Sequence, residues 1–222
     1  MNKVNKKACI QLHKLINSGD EKGAINLINS EKDIDVSYEY DCCIPIFSAF
    51  NKRMYDLVEI IVNHPTFNPL IEDGFGESFL ESLLYLYTAD KCTDDDRAEN
   101  KRYIELLLKS DKTDFNHKDL NEDTALSIAC EYPQLLWVVE FLASKEEVNV
   151  NTINDINFSP LGNAIRRNNL KAIEILAKRK DLQVTVHDLE VADEYGIDLS
   201  KYGIEAAIKL KKAHDYACAM AE

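Results

Sequence analysis

The chain has 222 residues and a mass of 25.3 kDa, with 45% apolar and 29% charged residues, enough for a sizeable core in one or two domains. Its 26 basic and 39 acidic side chains leave a net charge of −13, a field that repels phosphate backbones and anionic lipid, so nucleic acid and membrane insertion are excluded as modes of action. No stretch reaches the ~18 apolar residues of a membrane span, and the opening MNKVNKKACIQLHKL has no signal-peptide core; the six cysteines then read as reduced thiols of a cytoplasmic protein.

Taken in chain order, residues 8–29 predict a helix pair with a polar outer face. A short pattern then recurs: QLHKLI from Gln11, IPIFSA from Ile44, SFLESL from Ser78, TALSIA from Thr124 and SPLGNA from Ser159. The start-to-start distances are 33, 34, 46 and 35 residues. Each copy is followed by an apolar tetrad: INLI from Ile25, VEII from Val58, IELL from Ile104, VEFL from Val139 and IEIL from Ile173. Ser78, Thr124 and Ser159 are placed to cap a first helix, and Pro45 and Pro160 suit its first turn, where a missing N–H costs nothing. Leu161 with Ala164, then Leu170, Ile173 and Leu176, form the apolar stripes of two successive helices. Asn-, Asp- and Gly-rich turns such as FNPLIEDGFG and VNVNTINDIN separate the pairs. A helix pair cannot bury both its faces alone, so the units must stack.

TALSIA and SPLGNA resemble the T-P-L-H-x-A signature of ankyrin repeats, and the period matches that family's ~33 residues. The resemblance implies an all-α solenoid, one domain over residues 1–222. An amino-terminal cap would span about 8–36, repeats about 37–69, 70–116, 117–151 and 152–185, and a carboxy-terminal cap about 186–222. That last cap is expected as a short helix near His187–Tyr195, a break at Gly196-Ile197-Asp198 and a longer helix from Ser200 to Met220. The signature's His is absent from every copy, and Asn169 stands where the family has Gly before its second helix.

The 46-residue spacing contains a 12-residue insertion centred on Thr93-Asp94-Asp95-Asp96-Arg97-Ala98-Glu99. Asp96 with Glu99 fits a capping box opening a helix, whereas Thr93 ahead of three acids fits a phosphorylation site. Being polar and between two helices, the segment 91–100 reads as removable. Leu108, Asp114, Phe115 and Asn116 match the pattern that asparaginyl hydroxylases recognise in ankyrin repeats, although Asn is also useful in a turn.

No catalytic residue, cofactor or metal is expected. The five histidines lack zinc spacing, Cys42-Cys43 is not a Cys-x-x-Cys pair, and Gly74-Phe75-Gly76 is not completed to a phosphate loop. The resemblance places function on turn tips and the exposed sides of first helices. The positions so implied are Tyr40, Asp41 and Cys43; Phe75, Glu77 and Tyr85; Leu120, Asp123, Glu131 and Tyr132; and Asp155, Ile156, Phe158, Arg166 and Arg167. Aromatic and Arg residues are the types that dominate interface hot spots. Residues 159–222 carry 10 basic and 10 acidic side chains against 16 and 29 before them, so Arg166 and Arg167 are expected to meet carboxylates or phosphates of a partner. The expected function is a monomeric, non-enzymatic scaffold for a partner protein that the sequence does not name. The alternatives are a regulatory or targeting subunit of an enzyme complex, or a structural spacer.

Overall fold

The computed structural model describes residues 4–204, so the expected helix from Ser200 to Met220 lies largely outside the described residues. Within them two compact units emerge, one of residues 4–80 and 102–114, the other of residues 81–101 and 115–204.

The first unit opens with α1 (Lys6–Ser18) and α2 (Glu21–Ser30), the predicted capping pair. The Asn5 side chain accepts from the Ala8 N–H, and Gly19 turns left-handed at φ 81, where its N–H closes onto the Ile16 carbonyl. Asp20 then caps α2 by accepting from the Gly23 N–H at 2.9 Å. Helices α3 (Pro45–Asn51) and α4 (Tyr55–Asn63) repeat the arrangement, with Pro45 in the first turn and Arg53 left-handed between them. Helix α1 packs on α3 and α2 on α4, which makes one layer of first helices and one of second helices. Leu12, Ile16, Ala24, Ile28, Leu57, Val58 and Ile61 fill the space between, each large side chain contributing about 1.5–3 kcal/mol. An edge-on cluster of Phe50, Tyr55, Phe79 and Tyr103 adds directional packing, and the buried Tyr103 hydroxyl donates to the Tyr55 carbonyl at 2.7 Å.

In the second unit the same two layers recur. Helix α7 (Ala125–Glu131) packs on α9 (Pro160–Arg166) and α9 on α11 (Val186–Glu194), while α8 (Leu136–Ala143) packs on α10 (Leu170–Leu176). Thr124, Ser159 and Thr185 cap α7, α9 and α11 through their hydroxyls. Helix α5 (Phe79–Thr88) runs from the first unit into the second, and α6 (Asp94–Leu108) runs back.

Three local expectations shift. Between α9 and α10 it is Asn168, at φ 53, that takes the left-handed conformation; Asn169 is the cap, accepting from the Ala172 N–H. The capping residue of α6 is Thr93 rather than Asp96: its hydroxyl oxygen accepts from the Asp96 N–H at 3.2 Å and its proton goes to the Asp96 carboxylate at 2.7 Å. The segment expected as a removable loop is therefore helix. Residues 94–100 form its first turns, Asn100 is buried, and Arg97 donates to the Tyr87 carbonyl at 3.3 Å.

The signature's missing histidine has a physical counterpart at two positions. Ser127 Oγ occupies one, donating to Asp123 at 2.8 Å and accepting from the Thr124 N–H. At the other, a Cβ on Gly162 would sit 2.9 Å from an Asp188 oxygen, which Ser159 Oγ already holds at 2.6 Å. Only glycine lets that carboxylate approach.

Candidate protein-binding surface

Four turns project from the helix layers. The first is a two-residue hairpin in which Tyr40 and Cys43 exchange backbone hydrogen bonds at 3.0 Å, with Asp41 and Cys42 both left-handed. The other three share one geometry: the carbonyls of Asp73, Asp119 and Asn154 accept from the N–H three residues on, and their own N–H groups donate to the carbonyl four residues on. Gly76, Glu122 and Asn157 take the positive φ that this turn demands. Side chains reinforce it, as Asp73 accepts from the Phe75 and Glu77 N–H groups and Asp119 from those of Asn121 and Asp123.

Each tip lifts one large apolar side chain into solvent. Tyr40 is 41% exposed, Phe75 71%, Leu120 72% and Ile156 57%. Asp41 and Asp155 are exposed beside them, and Cys43 and Glu77 are half-buried. In the second unit the Leu120 and Ile156 turns are joined: the Asp155 N–H donates to the Asn121 carbonyl at 2.9 Å.

Other predicted positions are engaged inside the fold. Asp123, expected on the surface, is only 8% exposed and accepts from Ser127 Oγ and from Asn154 Nδ2 at 3.1 Å. Burial pushes its carboxyl above the usual range, against the hydrogen bonds that would lower it. Half-buried Tyr85 donates its hydroxyl to Asp119 at 3.3 Å. Arg166 and Arg167, expected to meet a partner's anions, both bind Glu131, at 2.6 and 3.0 Å. That carboxylate was itself among the positions expected to face a partner; its side chain is only 14% exposed. The arginines also stack: Arg166 lies 4.9 Å from the Phe158 ring centroid and Arg167 lies 6.0 Å from that of Tyr132. The His187 ring lies edge-on to Phe158, 4.9 Å between centroids. This corner satisfies its own charges, because residues some 35 positions apart become neighbours when α7 and α9 stack.

Asn116 is exposed, but both ends of its amide bridge to the following turn: Nδ2 donates to the Glu147 carbonyl at 2.8 Å and Oδ1 accepts from the Asn149 N–H at 2.7 Å. Asn151 makes the same pair of bonds to the Asp181 carbonyl and the Gln183 N–H. Thr93 is exposed at the start of α6.

Sequence reasoning missed Arg179. It sits in the run Lys178-Arg179-Lys180, yet its side chain is only 13% exposed. The guanidinium donates to the carbonyls of Ala143, Lys145 and Val148 at 3.1, 2.6 and 3.0 Å, and grips Asp181 through two bonds. No local signal could have singled it out from Lys178 and Lys180.

Residues 97–188 match the family model described as ankyrin repeats (3 copies). Over that segment the chain is similar to ankyrin repeats. A crystal structure of an ankyrin repeat domain from Acinetobacter baumannii superimposes with a TM-score of 0.62 at 17% identity, covering 89% of this chain and 96% of that one. At that identity the likeness concerns the fold, an all-α ankyrin solenoid. No curated protein matches the chain. Ankyrin repeats are generally protein–protein interaction modules. Among the described residues no helix is long and apolar enough to cross a membrane, and no group of three His, Cys, Asp or Glu side chains could hold a metal ion.

Proposed function

We propose that this protein is a non-enzymatic scaffold that holds a partner protein through its turn tips. One observation carries the reading: each of the four turns exposes a large apolar side chain, Tyr40, Phe75, Leu120 or Ile156, at the point farthest from any internal use. Side chains of this kind at turn tips give a partner apolar area to cover. Aromatic and aliphatic anchors ringed by polar groups are the usual energetic centres of interfaces. Asp41 and Asp155 supply that polar ring here. Arg166, Arg167 and Glu131 drop out of the contact set, since their charges compensate one another within the repeat stack. The free thiols of Cys9, Cys42, Cys43, Cys92 and Cys130 suit a reducing compartment, and the reading places the protein in the cytoplasm as a monomer.

The test is affinity purification with mass spectrometry on the parent chain and on a Leu120→Ser, Ile156→Ser variant with an unchanged melting curve. Loss of the co-purifying partner is expected. An identical partner set, together with an identical set for a Tyr40→Ser, Phe75→Ser variant, overturns the reading.

A further inference from the structure

The first unit holds a groove of about 730 Å³ between the Tyr40–Cys43 hairpin and the segment 68–74. Ile44, Phe47, Leu70 and Ile71 line it with apolar groups, interspersed with Ser48, Asn51 and Asn68. Its apolar part, which serves as the floor, is only partly covered: Phe47 is half-buried, its ring edge-on to Phe79 at 5.6 Å. Leu70 is exposed at the rim. The charge of the lining is of one sign. Glu39, Glu72 and Asp73 line the groove, the exposed Asp41 sits beside it on the hairpin, and no lysine or arginine is among the lining residues.

Three features narrow the occupant. A concavity of this size has the dimensions of a pocket for a ligand or a few side chains, so a flat protein face would leave it empty. The hairpin edge offers no strand to extend, because Tyr40 and Cys43 spend their backbone groups on each other. Recognition therefore falls to side chains: an apolar floor and a carboxylate rim, in a chain of net charge −13. That combination suits long cationic side chains, whose methylene stems cover apolar surface while their charges reach the rim. It disfavours phosphorylated or acidic segments through like-charge repulsion and desolvation.

We infer that this groove is the docking site for an extended, positively charged segment of the partner protein, one that seats an apolar side chain on Phe47 and sets lysines or arginines against Glu39 and Glu72. The inference rests on the protein-binding reading above and assigns that reading a chemistry.

The experiment uses the full chain and a fluorescein-labelled octapeptide of alternating Lys and Leu, with the Glu–Leu octapeptide as control, followed by fluorescence anisotropy. The Lys–Leu peptide should bind and the Glu–Leu peptide should not. Glu39→Lys with Glu72→Lys should weaken binding by about tenfold or more, and Glu39→Lys alone should weaken it by a lesser factor. Glu146→Lys with Glu147→Lys makes the same charge change in the other unit and should alter affinity less than about twofold. Alkylation locates the site independently. Burial raises the thiol pKa values of Cys9, Cys92 and Cys130, so in a Cys218→Ser chain iodoacetamide should report on exposed Cys42 and half-exposed Cys43, and saturating Lys–Leu peptide should slow labelling there several-fold. Equal weakening by both charge reversals, unprotected thiols, or no binding at all would each overturn the inference. If the groove reversal retains the cellular partner while the Leu120→Ser, Ile156→Ser variant loses it, the groove assignment fails and the scaffold reading survives. If every variant retains it, both fail.

Discussion

Arg179 ties two successive repeats of the second unit together. It satisfies three carbonyls at and after the end of α8, including that of the terminal residue Ala143, from a position one repeat further along the chain. Each hydrogen bond from a charged donor contributes about 1.5–3 kcal/mol, but three bonds from one group are not additive, and water reaches some of the carbonyls once the side chain is gone. The Asp181 end is 52% exposed, where an ion pair adds about 0–1 kcal/mol. Arg179→Ala is therefore expected to lose about 3 kcal/mol, which for a chain of this length lowers Tm by about 6–12 °C. Arg179→Lys keeps the charge but not the planar fork and should lose about half as much. Asp181→Asn should lose less than about 1 kcal/mol. The hydrogen bond from Arg179 also holds the Asp181 carboxyl below the usual range. A depressed carboxyl contributes stability above its unfolded pKa and gives it up as pH falls through the folded one, so Arg179→Ala should remove that component from the acid limb. Thermal unfolding followed by far-UV circular dichroism at several pH values measures all of this. An Arg179→Ala midpoint within about 2 °C of the parent, or an Asp181→Asn loss as large as that of Arg179→Ala, would refute the assignment of the stability to the three carbonyls.

Asp123 behaves in the opposite sense. Burial raises its folded pKa, so its contribution is fullest below the unfolded value and is lost as pH rises through the raised one. Asp123→Asn should flatten the urea-unfolding stability profile across that window, whereas Asp123→Ala, which strands Asn154 Nδ2, should lose about 2 kcal/mol; parallel pH profiles for parent and Asn variant would contradict this. Deleting residues 91–100 takes away the first turns of α6 with Arg97 and buried Asn100. A Tm drop matching at least about 2 kcal/mol or insoluble protein is expected, and an unchanged melt would show the turns to be dispensable. Arg166→Ala with Arg167→Ala leaves the largely buried Glu131 unpaired and uncovers Phe158, so stability should fall by about 1–2 kcal/mol. A melting curve that does not move would return the pair to the free surface.

The helix pairs are legible in the sequence because their signals are local. Thr124 and Ser159 cap within three residues, Pro45 and Pro160 fill a first turn, and the apolar tetrads repeat in phase, so each helix is specified by its own neighbours along the chain. The exposed tips follow too: Phe75, Leu120 and Ile156 sit in turns whose conformation depends on three or four adjacent residues. The fate of charge is not legible in the same way. Asp123, Glu131, Arg166, Arg179 and Asp188 look like ordinary surface residues in sequence, yet stacking buries them wholly or in part against groups about 30 positions away. The lone Gly162 makes sense only once Asp188 is beside it. A side chain's conformational preference belongs to its own segment, whereas its solvation belongs to whichever repeat lies on top of it. Stacking, not local propensity, therefore decides which charges become structure and which remain available to a partner.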